Sequence, residues 1–188
     1  MAALTLVLGG VRSGKSRWAE QLALAQPPVA YLATAQAGDA EMAARIAAHQ
    51  RRRAALAPPW LTVEEPWDIA AVIAGRRDGC LVVEDLGLWL TNLLVGVPGH
   101  PPCDDAALDD EVGRLLAAIE SARGPIVMVS PEVGCGVVPA SALARRFTDL
   151  IGEANQRLAA MAAQVFLCVA GIPVAIKHPG GGTDAATR

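Results

Sequence analysis

The stretch "LVLGGVRSGKSRWAE", residues 6–20, sets the terms on which the rest of the chain is read. Leu4 to Leu8 is an apolar run of strand length and Ser16 to about Gln26 has helical spacing, so Gly9 to Ser16 falls at a strand-to-helix turn. Gly9-x-x-x-x-Gly14-Lys15-Ser16 is a complete phosphate-loop pattern. In such a loop the glycines let backbone N–H groups turn inward, the lysine reaches the β- and γ-phosphates of a nucleoside triphosphate, and the hydroxyl ligates Mg²⁺. The helix that follows points its positive end at the same place.

Lysine usage sharpens the reading. Only Lys15 and Lys177 are lysines among sixteen basic residues, so this chain uses arginine for ordinary surface charge. A compact ammonium at the loop position fits where a forked guanidinium would not. The metal site needs an acid as well, and "LVVED", residues 81–85, offers Glu84 and Asp85 at a strand end. Successive side chains on a strand point to opposite faces, so one of the two at most faces the phosphates.

Short apolar runs alternate with helical patterns along the whole chain. Leu4–Leu8, Val29–Ala33, Leu61–Val63, Leu81–Glu84, Ile126–Ser130, Val165–Val169 and Val174–Ile176 read as strands, near-continuously apolar as in a parallel sheet covered on both faces. Ser16–Gln26, Ala40–Leu56, Trp67–Ala74, Asp105–Ala122 and Ala140–Ala163 read as helices. The alternation predicts an α/β doubly wound sheet in one domain over residues 1–177. Ala170-Gly171 alone separates the last two strands, which predicts an antiparallel hairpin at one sheet edge. "GVPGHPPCDD", residues 96–105, reads as an exposed or mobile loop, and residues 178–188 as a disordered tail.

Composition excludes several classes. A chain of 188 residues with 53% hydrophobic and 19% charged residues can bury a core without metal or disulfide support. The net charge of −3 provides no footprint for nucleic acid or anionic lipid. Cys80, Cys103, Cys135 and Cys168 form no CxxC pair, which argues against a zinc ribbon or disulfide framework and for a cytoplasmic location. The first apolar run is cut at Gly9 and followed by Arg12, Lys15 and Arg17, which predicts no leader sequence. The longest apolar stretch, Leu158 to Ile176, is broken by Gln164, Gly171 and Pro173, which predicts no membrane span.

"EMAARIAAHQRRR", residues 41–53, is the second informative stretch. On a helix, Arg45 lies four residues before His49, Arg52 three after and Arg53 four after, so all share a face. Two readings stand at this point: a solvated basic helix, or a phosphate-binding face whose guanidinium groups favour the neutral, nucleophilic imidazole. In the second reading His49 attacks a nucleotide phosphorus to form a P–N linked intermediate. His100 and His178 lie in the loop and the tail and carry less weight.

Taken in order, "GGVRSGKSRWAE" (9–20), "YLATAQAGDAEMAARIAAHQRRR" (31–53), "LTVEEPWDI" (61–69), "LVVEDLGLWLTNLL" (81–94), "EVGCGVVP" (132–139) and "RRFTDLIGEANQRLA" (145–159) resemble the bifunctional adenosylcobinamide kinase/adenosylcobinamide-phosphate guanylyltransferase family of cobalamin biosynthesis. The resemblance covers about residues 4–177 and implies a RecA-like P-loop NTPase fold. It implies phosphorylation of adenosylcobinamide by ATP or GTP. It further implies transfer of GMP from GTP through a guanylyl-histidine to adenosylcobinamide phosphate, giving adenosylcobinamide-GDP and pyrophosphate. By resemblance His49, in "RIxxH", is the guanylylated residue and Lys15 its catalytic companion in the loop. Gly9, Gly10, Val11, Arg12, Ser13, Gly14, Lys15 and Ser16 match the family's nucleotide-binding loop. Ala33, Thr34, Ala35, Gln50, Arg51, Arg52, Arg53, Glu64 and Glu84 match further nucleotide contacts, with Ser16 and Glu84 for Mg²⁺. A homotrimer is also implied. Two positions depart from the family pattern: Pro131 stands where asparagine usually precedes "EVG", and Thr148 where arginine usually precedes Asp149.

The rival readings are a P-loop kinase of another small alcohol with no covalent intermediate, and a nucleotide-gated binding protein of RecA type. The second calls for a basic nucleic-acid stripe or long disordered arms, which this acidic chain lacks.

Overall fold

A computed structural model describes residues 3–36, 38, 40–54 and 59–178. Its elements run β1 (Leu4–Gly9), α1 (Lys15–Leu24), β2 (Val29–Ala33), α2 (Ala40–Ala54), β3 (Leu61–Glu64), α3 (Ile69–Gly75) and β4 (Cys80–Glu84). They continue with α4 (Leu86–Val95), α5 (Asp105–Ser121), β5 (Ile126–Pro131), α6 (Ala142–Met161), β6 (Gln164–Val169) and β7 (Ile172–Lys177). The strands form one seven-stranded sheet in the order β3-β2-β4-β5-β1-β6-β7. Every pairing is parallel except β6 with β7, the edge hairpin that Ala170-Gly171 predicts.

Alternation along the central strands divides the core in two. Leu4, Leu6 and Leu8 of β1, Leu81 and Val83 of β4, and Ile126 and Met128 of β5 face α3, α4, α5 and α6. Val7, Val82, Val127 and Val129 face the other way, onto Ala19 and Ala23 of α1. A four-helix layer therefore covers one face, while the small residues of α1 let that helix lie close on the other. Trp89 is fully buried within the thick layer, its indole N–H donating to the carbonyl of Trp67 at 2.7 Å.

No element is predicted for Leu86–Val95, yet this segment is helix α4. Its sequence, "LGLWLTNLLV", is apolar on nearly every face and buries Leu86, Gly87, Trp89, Leu90, Leu93 and Leu94, so the polar stripe that betrays a surface helix is missing. Asp85 starts it: its carboxylate accepts from the Leu88 amide at 2.8 Å as an N-cap. Asp68, Asp104 and Ser141 cap α3, α5 and α6 in the same way, moving those starts relative to the predicted ones by up to two residues.

The loop expected at residues 96–105 is largely exposed but fastened. Val97 and His100 exchange backbone hydrogen bonds of 2.9 and 2.8 Å, and the His100 ring stacks on Trp67 at 4.4 Å between centroids. The predicted end of α2 at Leu56, and the tail from residue 179 on, lie outside the described residues. Among the described residues no helix is long and apolar enough to cross a membrane.

Candidate active site

The C-terminal ends of the parallel strands converge on the phosphate loop. Its shape is set by close packing as much as by glycine freedom. A Cβ on Gly9 would lie 2.4 Å from Ser13 Oγ and 2.8 Å from the carbonyl of Cys168. Gly14 has φ +94°, and a Cβ there would meet Gly171 Cα at 3.0 Å. The amide of Gly171 donates to the Ser13 carbonyl at 2.9 Å, so the hairpin turn buttresses the loop from behind. Gly14 is the N-cap of α1 and supplies no side-chain acceptor, which leaves the first amides of α1 for an anion. Val11 projects outward, 84% exposed.

Ser16, one residue into α1, donates its hydroxyl to Glu84 Oε1 at the end of β4. Glu84 is only 9% exposed, and its Oε2 has no hydrogen-bond partner among the described residues. Burial pushes its carboxyl up to about 7, the Ser16 hydrogen bond opposing and the Asp85 charge adding to the rise. A hydroxyl and a carboxylate are hard oxygen donors that suit Mg²⁺, and the orphan Oε2 is a buried acceptor that a cation would satisfy, so Ser16 and Glu84 fit the metal. Asp85 is occupied as the α4 cap, which separates the two acids that the sequence leaves unresolved.

His49 comes to the same oxygen from α2: its Nδ1 lies 3.7 Å from Glu84 Oε1. Carboxylate oxygens of Glu84 and Glu20 lie within 4.8 Å of a ring nitrogen of His49. Arg53 has turned inward, 6% exposed, with its guanidinium 3.6 Å above the centroid of the Tyr31 ring and with Nε and Nη1 unpartnered among the described residues. Burial first, and then the Glu84 charge, push the Tyr31 phenol well above its ordinary range, Arg53 opposing. Gln50 and Arg51 are exposed on the outer side of α2, and the side chains of Arg45 and Arg52 lie outside the description.

Ala33 is level with Glu64 on one side and Glu84 on the other in the sheet register. Glu64 is exposed at the end of edge strand β3. Thr34 is committed to the scaffold: its amide donates to the Glu84 carbonyl at 3.0 Å, and its hydroxyl oxygen accepts from the Asp85 amide at 2.9 Å. The amide group of Asn92 in α4 donates to the Thr34 and Pro66 carbonyls, both at 2.9 Å, tying the segments that follow β2 and β3 to α4. Ala33 and Ala35 then line a cleft with Met42, Ile46, His49 and Arg53.

Against this geometry, the family model described as cobinamide kinase / cobinamide phosphate guanyltransferase matches residues 5–176. The chain belongs to that family. It is similar to the bifunctional adenosylcobalamin biosynthesis protein CobP of Pseudomonas aeruginosa, 46% identical over 176 residues, covering 92% of this chain and 96% of that one. It is similar to the corresponding CobU of Salmonella typhimurium at 42% identity, covering 93% and 99%, and to that of Escherichia coli at 40%. Among solved structures, the P4 protein of bacteriophage phi6 in complex with ADP aligns at 12% identity with a TM-score of 0.44. The alignment covers 92% of this chain and 52% of that one, so the chain spans about half its length.

The chain is an enzyme, and Pro131 and Thr148, the two positions expected to depart from the family pattern, flank one loop. The Pro131 ring ends β5 against α4, where a Cβ on Gly87 would come 2.5 Å from Pro131 Cγ. Asn155 donates to the Pro131 carbonyl at 3.1 Å and accepts from Ser130 at 2.6 Å. Thr148 turns its hydroxyl onto the Ala144 carbonyl of its own helix at 2.9 Å and leaves its methyl facing Gly134. Sequence reasoning missed Glu20, Tyr31 and Asn92. For Glu20 a signal existed, its position four residues after Ser16 on the same helix face.

Proposed function

We propose that this enzyme phosphorylates adenosylcobinamide with ATP or GTP and then transfers GMP from GTP through guanylyl-His49 to adenosylcobinamide phosphate. The observation that carries the proposal is the convergence on Glu84 Oε1, which accepts from Ser16 of the phosphate loop and lies 3.7 Å from His49 Nδ1. A phosphate-binding loop, a metal-suited acid and an imidazole thereby share one site.

In the first reaction the backbone amides of Gly9–Ser16 and the Lys15 ammonium hold the triphosphate in line with the aminopropanol hydroxyl. Phosphoryl transfer depends mainly on such positioning and charge stabilisation, so no separate protein base is required. Mg²⁺ held by Ser16 and Glu84 would neutralise charge on the phosphate oxygens. In the second reaction a ring nitrogen of His49 attacks the α-phosphorus of GTP, the bond to the bridging oxygen breaks, and pyrophosphate leaves. A phosphate oxygen of adenosylcobinamide phosphate then attacks the same phosphorus, the P–N bond breaks, and the electron pair returns to the imidazole. The nucleotide set comprises residues 9–16, Ala33 to Ala35, Gln50 to Arg53, Glu64 and Glu84. Arg53 is buried beside the cleft, with two nitrogens unpartnered among the described residues, which supports a role for it in holding the nucleotide.

Residues 1–177 are proposed to act as one domain, in the cytoplasm, and as a homotrimer. Ile172, Val174 and Ile176 of edge strand β7 expose an apolar row that supports assembly. The test is product analysis with adenosylcobinamide, ATP, GTP and Mg²⁺. Adenosylcobinamide-GDP together with pyrophosphate is the expected outcome; adenosylcobinamide phosphate alone would reduce the protein to a kinase.

A further inference from the structure

We infer that Val137 and Val138 form the rest on which the cobinamide acceptor lies while its hydroxyl meets the phosphate loop, an inference that rests on the kinase reading above. The two residues belong to the segment 132–141, which leaves the C-terminal end of β5. In the sheet β5 stands between β4, which ends in Glu84, and β1, which runs into the phosphate loop. The segment therefore starts beside the place where a phosphoryl group leaves the bound nucleotide. Both valines project into solvent, Val137 96% and Val138 75% exposed.

The segment is fastened at both ends. The Glu132 amide donates to the Gly9 carbonyl of the phosphate loop at 3.2 Å, and Asn155 donates to the Pro131 carbonyl at 3.1 Å. At the far end Arg145 of α6 donates to the Pro139 and Ala140 carbonyls at 2.8 and 2.7 Å. Held between these anchors, two β-branched side chains leave water favourably only when an apolar body covers them. The size of the site points to that body. The cleft beside His49 encloses about 470 Å³, room for one small ligand, and the nucleoside of GTP claims it. A corrin macrocycle, far larger than a nucleobase, therefore rests outside, on the rim. That rim is two-sided: α2 exposes Gln50 and Arg51, whereas the ends of the neighbouring strands β5, β1 and β6 expose Val137 and Val138, Val11 and Val169. The edge of a corrin carries methyl groups between its amide side chains, so the apolar side of the rim is the one that suits it.

The experiment follows phosphorylation of adenosylcobinamide by the full chain with GTP and Mg²⁺, in wild type, in the double variant Val137→Ser with Val138→Ser, and in Val137→Ile with Val138→Ile. Both residues are exposed, so serine at these positions leaves the core intact. The serine variant is expected to need at least tenfold more adenosylcobinamide for half-saturation, with the half-saturating GTP concentration within twofold of wild type, and the isoleucine variant to keep the wild-type affinity for the acceptor. Guanylyl-His49 forms from GTP with no acceptor present, so its rate is expected to be unchanged in the serine variant. A rise smaller than tenfold overturns the inference, and so does an equal loss of adduct formation, which would make the segment a structural part of the nucleotide site. A changed oligomeric state in sedimentation would overturn it too, since the valines would then join copies of the chain. Wild type that binds GTP but leaves adenosylcobinamide unphosphorylated would instead overturn the kinase reading beneath it.

Discussion

The phosphate loop and the histidine pocket lie side by side but are built on different principles. The loop is made from eight consecutive residues and offers mostly backbone groups, with its shape imposed from outside by the Cys168 carbonyl and the Gly171 turn. The pocket is made from side chains of α1, α2 and β4 that meet only in the folded chain. A backbone site offers every triphosphate the same grip, whereas a side-chain site adds a reaction that can be removed one group at a time. Glu84 belongs to both, which makes it the hinge of the comparison.

The sharpest break is Lys15→Ala. It removes the ammonium from the shared grip and is expected to weaken triphosphate binding at least ~100-fold, about 2.7 kcal/mol, and to abolish both reactions. Calorimetric titration with GTP checks it, and undiminished binding would sink the loop assignment. His49→Ala should separate the regions: no guanylyl adduct, with phosphorylation of adenosylcobinamide retained. Equal loss of both, measured by product analysis, would make His49 a general nucleotide contact.

Gly14→Ala tests how tightly the loop is held from outside. At φ +94° with Gly171 Cα 3.0 Å away, the methyl group is expected to cost about 1–3 kcal/mol of stability, read as a lower denaturant midpoint. The smallest effect expected is in thiol reactivity. Cys80 is fully buried and its thiol is pushed up to about 11 by that burial, Arg76 opposing. At pH 8 its thiolate is thus about a thousandth of the population, and alkylation should label exposed Cys135 first and Cys80 last. Peptide masses over time measure the order.

What could be read in advance follows the same division. β1, the loop and α1 were legible because their residues are contiguous and each carries a backbone or charge requirement. The edge hairpin was legible because Ala170-Gly171 leaves room for nothing longer, and both residues take positive φ. Helix α4 was hidden by its own burial, since a helix that is apolar all round has no period to detect. The role of Asp85 as a cap became visible only once that helix had a start. On the arginine-rich face of α2, Arg53 stacks on Tyr31, twenty-two residues away in sequence, a partner that helical spacing cannot reveal. Glu20 and His49 meet across two elements, so only their separate spacings were on view.

The most direct measurement is to incubate the protein with Mg²⁺ and GTP labelled at the α-phosphate, quench in alkali, and weigh the chain and its peptides. The account predicts a GMP adduct, stable in alkali and lost in acid, on the peptide that contains His49. GTP that binds without leaving any such adduct would contradict it and leave a kinase whose histidine only lines the pocket.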